Sequence, residues 1–368
     1  MTCEMKMGGT PFPRRKTRQI IVGRVRIGGD APVSVQSMTK TDTRDVRATV
    51  RQIRRLEKAG CEIVRLAVPD MRAARALREI KGKTGIPIVA DIHFDHRLAL
   101  ASIEAGVDGL RLNPGNIGSR TKVGEIVKAA GERGLPIRIG VNSGSLEKSL
   151  LRKYGSVTAE AMVESALGHI RILEDLDFFA IKVSLKASDI PRTLEAYRLL
   201  ASRTDYPFHA GITEAGGLLP GSVKSAAGLS LLLGEGLADT IRVSLTAAPE
   251  REVEVAGRIL RNLGIRPGGI DVISCPTCGR CEVDLRSIAS GIDKSLSPLR
   301  GKLTVAVMGC MVNGPGEARE ADLGLACGRG LGVIFKKGRI IRKVPENGIV
   351  EALVEEAEKL IAAGPEET

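Results

Sequence analysis

A strand-then-helix unit recurs eight times between Val33 and Asn262, at spacings of roughly 20 to 40 residues. The strand candidates are Val33–Gln36, Ile63–Ala67, Ile88–Asp91, Gly109–Leu112, Ile137–Val141, Ala180–Ser184, Phe208–Ile212 and Thr240–Ser244. Each precedes a segment with apolar residues at helical spacing, such as Val46 to Ala59 or Ala159 to Leu173. Eight units in about 250 residues match the size and period of a (β/α)8 TIM barrel. A doubly wound α/β sheet is the structural rival, but no Gly-rich dinucleotide loop follows the first strand. The phosphate-loop candidate there, Ser37-Met38-Thr39-Lys40-Thr41, is weak. Ahead of the barrel, residues 18–30 read as a hairpin turning at Gly23.

The Gly- and Pro-rich stretch Asn262-Leu263-Gly264-Ile265-Arg266-Pro267-Gly268-Gly269 marks a boundary. The expectation is a barrel over residues 1–266 and a smaller α+β domain over 267–368. Strands of that domain are expected at Asp271–Ser274, Leu303–Met308, Asp322–Ala326, Gly332–Phe335 and Ile340–Lys343. A last helix runs from about Gly348 to Ala363.

No apolar run reaches the roughly 20 residues a membrane helix needs. The start, Met1-Thr2-Cys3-Glu4-Met5-Lys6, lacks the apolar stretch of a secretory signal. Seven cysteines, an odd count with four close together late in the chain, favour a reducing cytoplasm over a disulfide framework. The formal net charge is +12. Aromatics are only 2% of residues and Trp is absent, so stacking platforms for single-stranded nucleic acid are scarce. Part of the excess is solvated helix surface, as at Arg47, Arg51, Arg54, Arg55 and Lys58; the rest suits a polyanionic small molecule and an acidic protein donor.

In a barrel of this type the site lies at the C-terminal ends of the strands. The residues expected there are Arg65, Asp91, His93, Arg111, Asn113, Arg138, Asn142, Lys182, Ser184, His209, Thr213, Glu214, Arg242 and Ser244. They form either a structural ion-pair network or an anion site. Five cations (Arg65, Arg111, Arg138, Lys182, Arg242) face few carboxylates, which favours the anion site. Phosphate is the natural counter-charge, and planar Arg forks suit it. Glu214 is either a partner for Arg242 or a proton donor. Asp91 and His93 either bind substrate hydroxyls or orient their neighbours, and His169 reads as a helix residue without a role.

Cys275-Pro276-Thr277-Cys278-Gly279-Arg280-Cys281 is answered by Gly309-Cys310-Met311-Val312-Asn313-Gly314-Pro315-Gly316-Glu317. Thiolates gathered in this way hold zinc or an iron–sulfur cluster. The first run resembles the opening of a bacterial ferredoxin motif but continues into Glu282-Val283-Asp284-Leu285 without a fourth Cys. Cys310 is the best distant ligand, and the Asn313–Gly316 turn can fold Glu317 back. Cys281 is a ligand or a bystander. An oxygen ligand leaves an iron that can open to substrate. Cys3, Cys61 and Cys327 read as core or surface thiols.

The chain resembles the 4-hydroxy-3-methylbut-2-enyl diphosphate synthases of the methylerythritol phosphate route to isoprenoids. The resemblance runs over nearly the whole chain. Its marks are Asp91-Ile92-His93-Phe94, the Arg111–Gly118 and Gly140–Leu146 segments, Gly211-Ile212-Thr213-Glu214-Ala215-Gly216 and the two cysteine segments. It implies a TIM barrel followed by a [4Fe–4S] domain of the sulfite-reductase type. The implied cluster ligands are Cys275, Cys278, Cys310 and Glu317, with Cys281 outside the pattern. The implied reaction is the two-electron ring opening of 2-C-methyl-D-erythritol 2,4-cyclodiphosphate, with loss of water, to 4-hydroxy-3-methylbut-2-enyl diphosphate. The implied donor is flavodoxin or ferredoxin. The implied assembly is a head-to-tail homodimer in which one subunit's cluster domain caps the other's barrel. Glu214 becomes the acid, and Asn313 joins the mouth residues at the substrate. A cytoplasmic enzyme with no nucleic-acid or membrane partner follows.

Three rivals remain at this level. A zinc-stapled binding protein for phosphorylated ligands or RNA would fit the cysteines and the charge, but lacks a fourth Cys or His. A radical S-adenosylmethionine barrel would carry its cysteines near the first strand. A plain electron carrier would not need a cationic barrel mouth.

Overall fold

In a computed structural model of the chain, the described residues are 11–266, 268–296, 299, 301–311, 316 and 319–363. The chain divides into two compact units, Met1–Arg266 and Pro267–Thr368. No helix among the described residues is long and apolar enough to cross a membrane.

The first unit opens with a hairpin, β1 (Ile20–Val22) and β2 (Val25–Ile27). Eight parallel strands follow: β3 (Ser34–Met38), β4 (Ile63–Ala67), β5 (Ile88–Asp91), β6 (Gly109–Arg111), β7 (Ile137–Asn142), β8 (Ile181–Lys186), β9 (His209–Ala210) and β10 (Thr240–Ile241). Their order is β8-β7-β6-β5-β4-β3-β10-β9, and a bridge between Val183 and Phe208 joins the two ends. The result is a nearly closed (β/α)8 barrel.

Helices between the strands begin where a short polar side chain stops the strand. Asp45, Asp70, Ser119, Thr158 and Asp189 each accept a hydrogen bond from the backbone N–H three residues on. Asp95 does the same two residues on. Each such cap contributes about 1 kcal/mol and fixes the loop length at the mouth.

Strand alternation then sorts the side chains. On β4 and β5, Val64, Leu66, Ile88 and Ala90 enter the apolar core between sheet and helices. Ile63 and Val89 face the other way and pack with Ile20, Val22 and Ile27 of the hairpin. Two residues farther along those inner faces stand Arg65 and Asp91. The barrel is therefore apolar on its floor, where the hairpin plugs it, and charged toward its C-terminal end.

The second unit is a five-stranded sheet in the order β11 (Gly269–Ser274), β12 (Lys302–Met308), β13 (Leu323–Gly328), β14 (Leu331–Lys336) and β15 (Arg339–Pro345). The first three strands run parallel and the last three antiparallel. Helices Leu285–Leu296 and Ile349–Ala363 cover one face through Ile288, Ile292, Leu353 and Ala357 against Val305, Val307, Leu323 and Leu325. Ala306, Met308, Ala326, Val333 and Phe335 form a smaller cluster of their own.

Candidate active site

The barrel mouth gathers six cations: Arg65, Arg111, Arg138, Lys182, Lys186 and Arg242. All are buried or nearly so. The buried carboxylates paired with them are Asp91 and Glu252, and Asp239 acts on Lys182 from farther away. Asp91 lies 3.4 Å from Arg65 Nε and 3.4 Å from Arg111 Nη1. Burial alone would raise the Asp91 carboxyl, but Arg65, then Arg111 and Arg138, outweigh it and hold it below its ordinary range. Arg65 is itself brought down to about 10 by burial, against the pull of Asp91. Burial and the neighbouring cations push Arg138 and Lys186 well below their ordinary values. A dry cluster with this imbalance is unfavourable until an anion completes it.

Hydrogen bonds fix the frame around these charges. Asn113 grips Gly140 from both sides: its Nδ2 donates to the Gly140 carbonyl at 3.0 Å and its Oδ1 accepts from the Gly140 N–H at 2.8 Å. Arg111 Nη2 donates to the same carbonyl at 2.9 Å. A Cβ on Gly140 would sit 2.7 Å from Arg111 Nε, so only glycine lets that guanidinium lie against β7. Asn113 is thus seen bracing β6 against β7. Arg111 Nη1 also lies 3.3 Å from His93 Nδ1, and His93 is mostly exposed at the rim. Asn142 ends β7 half-buried, and Ser244 is half-buried three residues past β10, which holds only Thr240–Ile241 of the expected Thr240–Ser244. Ser184 is buried beside Tyr197, whose hydroxyl donates to the His209 carbonyl at 2.6 Å.

Three features differ from the sequence expectation or were missing from it. Lys186 was not anticipated. The predicted strand stopped at Ser184, whereas β8 runs two residues farther and carries Lys186 on the face of Lys182 and Ser184. Its amine lies 3.3 Å from His209 Nε2, and a Cβ on Gly211 would approach it to 3.0 Å. Lys182 begins the strand and lies deeper in the barrel. Second, Arg242 pairs with Glu252 at 3.9 Å, and no ion pair reaches Glu214 among the described residues. Glu252 comes from the helix after β10 and also accepts from Leu245 N–H and pairs with Lys40. Glu214 stands exposed in the loop after β9 in a left-handed conformation, φ 51°. Such a backbone is uncommon outside glycine. Third, His169 has a structural partner set: Nδ1 accepts from the Gly115 N–H at 3.2 Å, and Nε2 lies 3.2 Å from Glu147. It ties down the loop after β6.

In the second unit, Ser274 of β11 is paired with Val307 of β12. Cys275 and Cys310 therefore leave neighbouring parallel strands at the same end. Cys278 is exposed on the turn between, where Thr277 takes φ 64°. The Gly309 N–H donates to Cys275 Sγ at 3.4 Å. Cys281 Sγ would lie 2.6 Å from a Cβ on Gly309, and it donates to the Val283 carbonyl at 3.3 Å. Buried Cys327 neighbours both, and its thiol is pushed up to about 12 by burial, then by Cys281. Among the described residues no three ligand-type side chains converge into a metal group. Glu317 and Asn313 lie outside the described residues. The donors that are described, thiols at one sheet end with a backbone N–H directed at a sulfur, suit an iron–sulfur cluster.

A family model described as the GcpE TIM-barrel domain matches residues 17–257, and one described as the GcpE protein C-terminal domain matches residues 271–359. A protein of Geobacter sulfurreducens named 4-hydroxy-3-methylbut-2-en-1-yl diphosphate synthase (flavodoxin) is 62% identical over 349 residues, covering 95% of this chain and 99% of its own. A protein of the same name from Thermodesulfovibrio yellowstonii is 59% identical over 346 residues, covering 94% of this chain and 99% of its own. Among solved structures, dihydropteroate synthase from Yersinia pestis superposes with a TM-score of 0.46 at 13% identity, over 67% of this chain and 97% of its own.

Proposed function

The chain belongs to the GcpE family, and on that premise we propose that it reductively opens 2-C-methyl-D-erythritol 2,4-cyclodiphosphate and removes water to give 4-hydroxy-3-methylbut-2-enyl diphosphate. It is an iron–sulfur oxidoreductase of isoprenoid precursor synthesis. The observation that carries the substrate assignment is the excess of buried cations over carboxylates at the barrel mouth.

In this reading Arg65, Arg111, Arg138, Lys186 and Arg242 hold the diphosphate, and Lys182 adds to the field from the layer below. Asp91 keeps Arg65 and Arg111 in place, and His93, Asn142, Ser184 and Ser244 line the walls. Asn113 fixes the β6–β7 rim. Glu214 protonates the departing hydroxyl, because it is the exposed acid of the mouth and is not committed to an arginine. Cys275, Cys278, Cys310 and Glu317 would hold a [4Fe–4S] cluster, with Cys281 outside the ligand set. When bound, that cluster supplies the two electrons singly, received from a flavodoxin as the relatives' names indicate.

Two copies act head to tail, with the cluster unit of one subunit and the barrel of the other sharing a site, and Asn313 reaches the substrate. Phe94 in the loop after β5, and Leu218 and Leu219 at the start of the helix after β9, are exposed and support a covered rim. The enzyme works in the cytoplasm, where its thiols stay reduced.

The test is turnover by anaerobically prepared protein given a low-potential reductant and the cyclodiphosphate, read by mass spectrometry of the product. Product formation is expected. Its absence from iron-loaded, reducible protein would overturn the substrate assignment.

A further inference from the structure

Beneath the mouth the barrel encloses a small cavity. It is lined by Gln36 of β3, Val89 of β5, Arg138 of β7 and Lys182 of β8, with Val22 of the hairpin below. There is room in it for one particle of about the size of a water molecule. Lys182 Nζ, Arg138 Nε and Nη1, and Gln36 Oε1 are all buried and have no hydrogen-bond partner among the described residues. Lys182 and Arg138 stand opposite each other in the β7–β8 ladder. Asp239 offsets the charge of Lys182 from farther away, but it is bound by Arg14 Nη2 at 2.8 Å and by the Phe208 N–H at 2.8 Å.

Two cations lining one cavity repel strongly where the dielectric constant is low. A water would accept their hydrogen bonds and leave that repulsion in place. Burial, then Arg138, pushes Lys182 well below its ordinary value, but a neutral Lys182 with a water would satisfy the donors and still leave the buried Arg138 charge without a counter-ion. An anion satisfies the donors and the charge together. The Gln36 amide, turned about its last bond, adds an N–H donor. The rest of the lining, Val22, Val89, Gly109, Leu110 and Pro136, carries no side-chain acceptor, and the space excludes a phosphate or a carboxylate.

We propose that this cavity is a halide site, in which one chloride ion is held between Lys182 and Arg138 beneath the substrate-binding layer. The ion fixes Arg138 from below. It also relieves the repulsion among the mouth cations before a polyanion arrives. The site is independent of the identity of the substrate.

The experiment uses the full-length, iron-loaded protein under anaerobic conditions. Thermal unfolding is followed while bromide or chloride replaces gluconate at constant ionic strength. Above Kd the Tm should rise with the logarithm of halide concentration, by about 5–10 °C at a hundredfold excess over Kd. Crystals grown in gluconate and soaked in bromide should show an anomalous peak between Lys182 Nζ and the Arg138 guanidinium. Lys182→Met should flatten the halide dependence and remove the peak. A Tm indifferent to halide, no peak in the cavity, or a peak seen only at molar bromide without any Tm response would each overturn the proposal. The wild-type measurements decide the matter even if Lys182→Met does not fold.

Discussion

The two units make their chemistry in opposite ways. The barrel places its charges on strands, within two or three residues of an aliphatic core, and braces them with short backbone contacts such as Asn113 on Gly140. The anion site proposed there is built by the fold. The second unit carries its thiols on turns beyond the strand ends. Cys278 is exposed and Cys275 half-buried, with one backbone N–H directed at a sulfur. Sites of that kind take their final geometry from the metal they hold. The contrast separates binding from electron transfer: binding should survive damage to the second unit, and electron transfer should survive damage to the mouth.

The largest effect expected is from Cys275→Ser. Iron content and the visible cluster absorption should be lost, and turnover with them. Retention of a full complement of iron would remove Cys275 from the ligand set. Glu214→Gln comes next. It should leave iron content and substrate affinity unchanged while turnover falls roughly 10²- to 10⁴-fold, as read by single-turnover kinetics. A rate close to wild type would show that the proton comes from elsewhere.

Lys186→Met sharpens the comparison further. Loss of one buried cation facing a diphosphate should weaken binding by about 2–4 kcal/mol, or roughly 30- to 1,000-fold, in calorimetric titration. Without substrate the same variant should unfold at an equal or higher temperature, since it removes a buried charge crowded by Arg242 and Arg138. A variant that binds normally would place the substrate outside this cluster.

The smallest effect is linked to pH. The Asp91 carboxyl is held below its ordinary range, so its stabilising contribution is fully present above about pH 4. It is lost as pH falls through the depressed value. Asp91→Asn should therefore lower stability at neutral pH by about 1–3 kcal/mol. The gap between variant and wild type should close in acid. A gap independent of pH would mean that Asp91 acts by shape and not by charge.

Much of this was readable from the chain. The eight barrel strands announce themselves as aliphatic runs with polar residues at their ends, each followed by apolar residues at helical spacing. Strand ends were less legible. Phe208–Ile212 reads as a full strand, but the ladder of β9 holds only His209–Ala210, and beyond it the chain leaves the ladder with the Thr213 N–H bonded to the Ala187 carbonyl. At β8 the error ran the other way, and Lys186 was left out although it alternates with Lys182 and Ser184. Contacts between distant segments carry no local signature. Glu252 reaches Arg242 from the following helix, and His169 holds Gly115 from 54 residues away. No periodicity reports either. At the cysteine segments, the adjacent ends of β11 and β12 bring Cys275 and Cys310 to one end of the sheet, a placement that spacing in sequence does not report.

The most direct test of the separation is titration of the cyclodiphosphate into two full-length proteins, iron-loaded wild type and Cys275→Ser. The barrel account predicts dissociation constants within about tenfold of each other, because the phosphate groups meet the same buried cations in both. Loss of all measurable binding in a folded Cys275→Ser protein would contradict it, and would mean that the substrate is held chiefly by the iron–sulfur site.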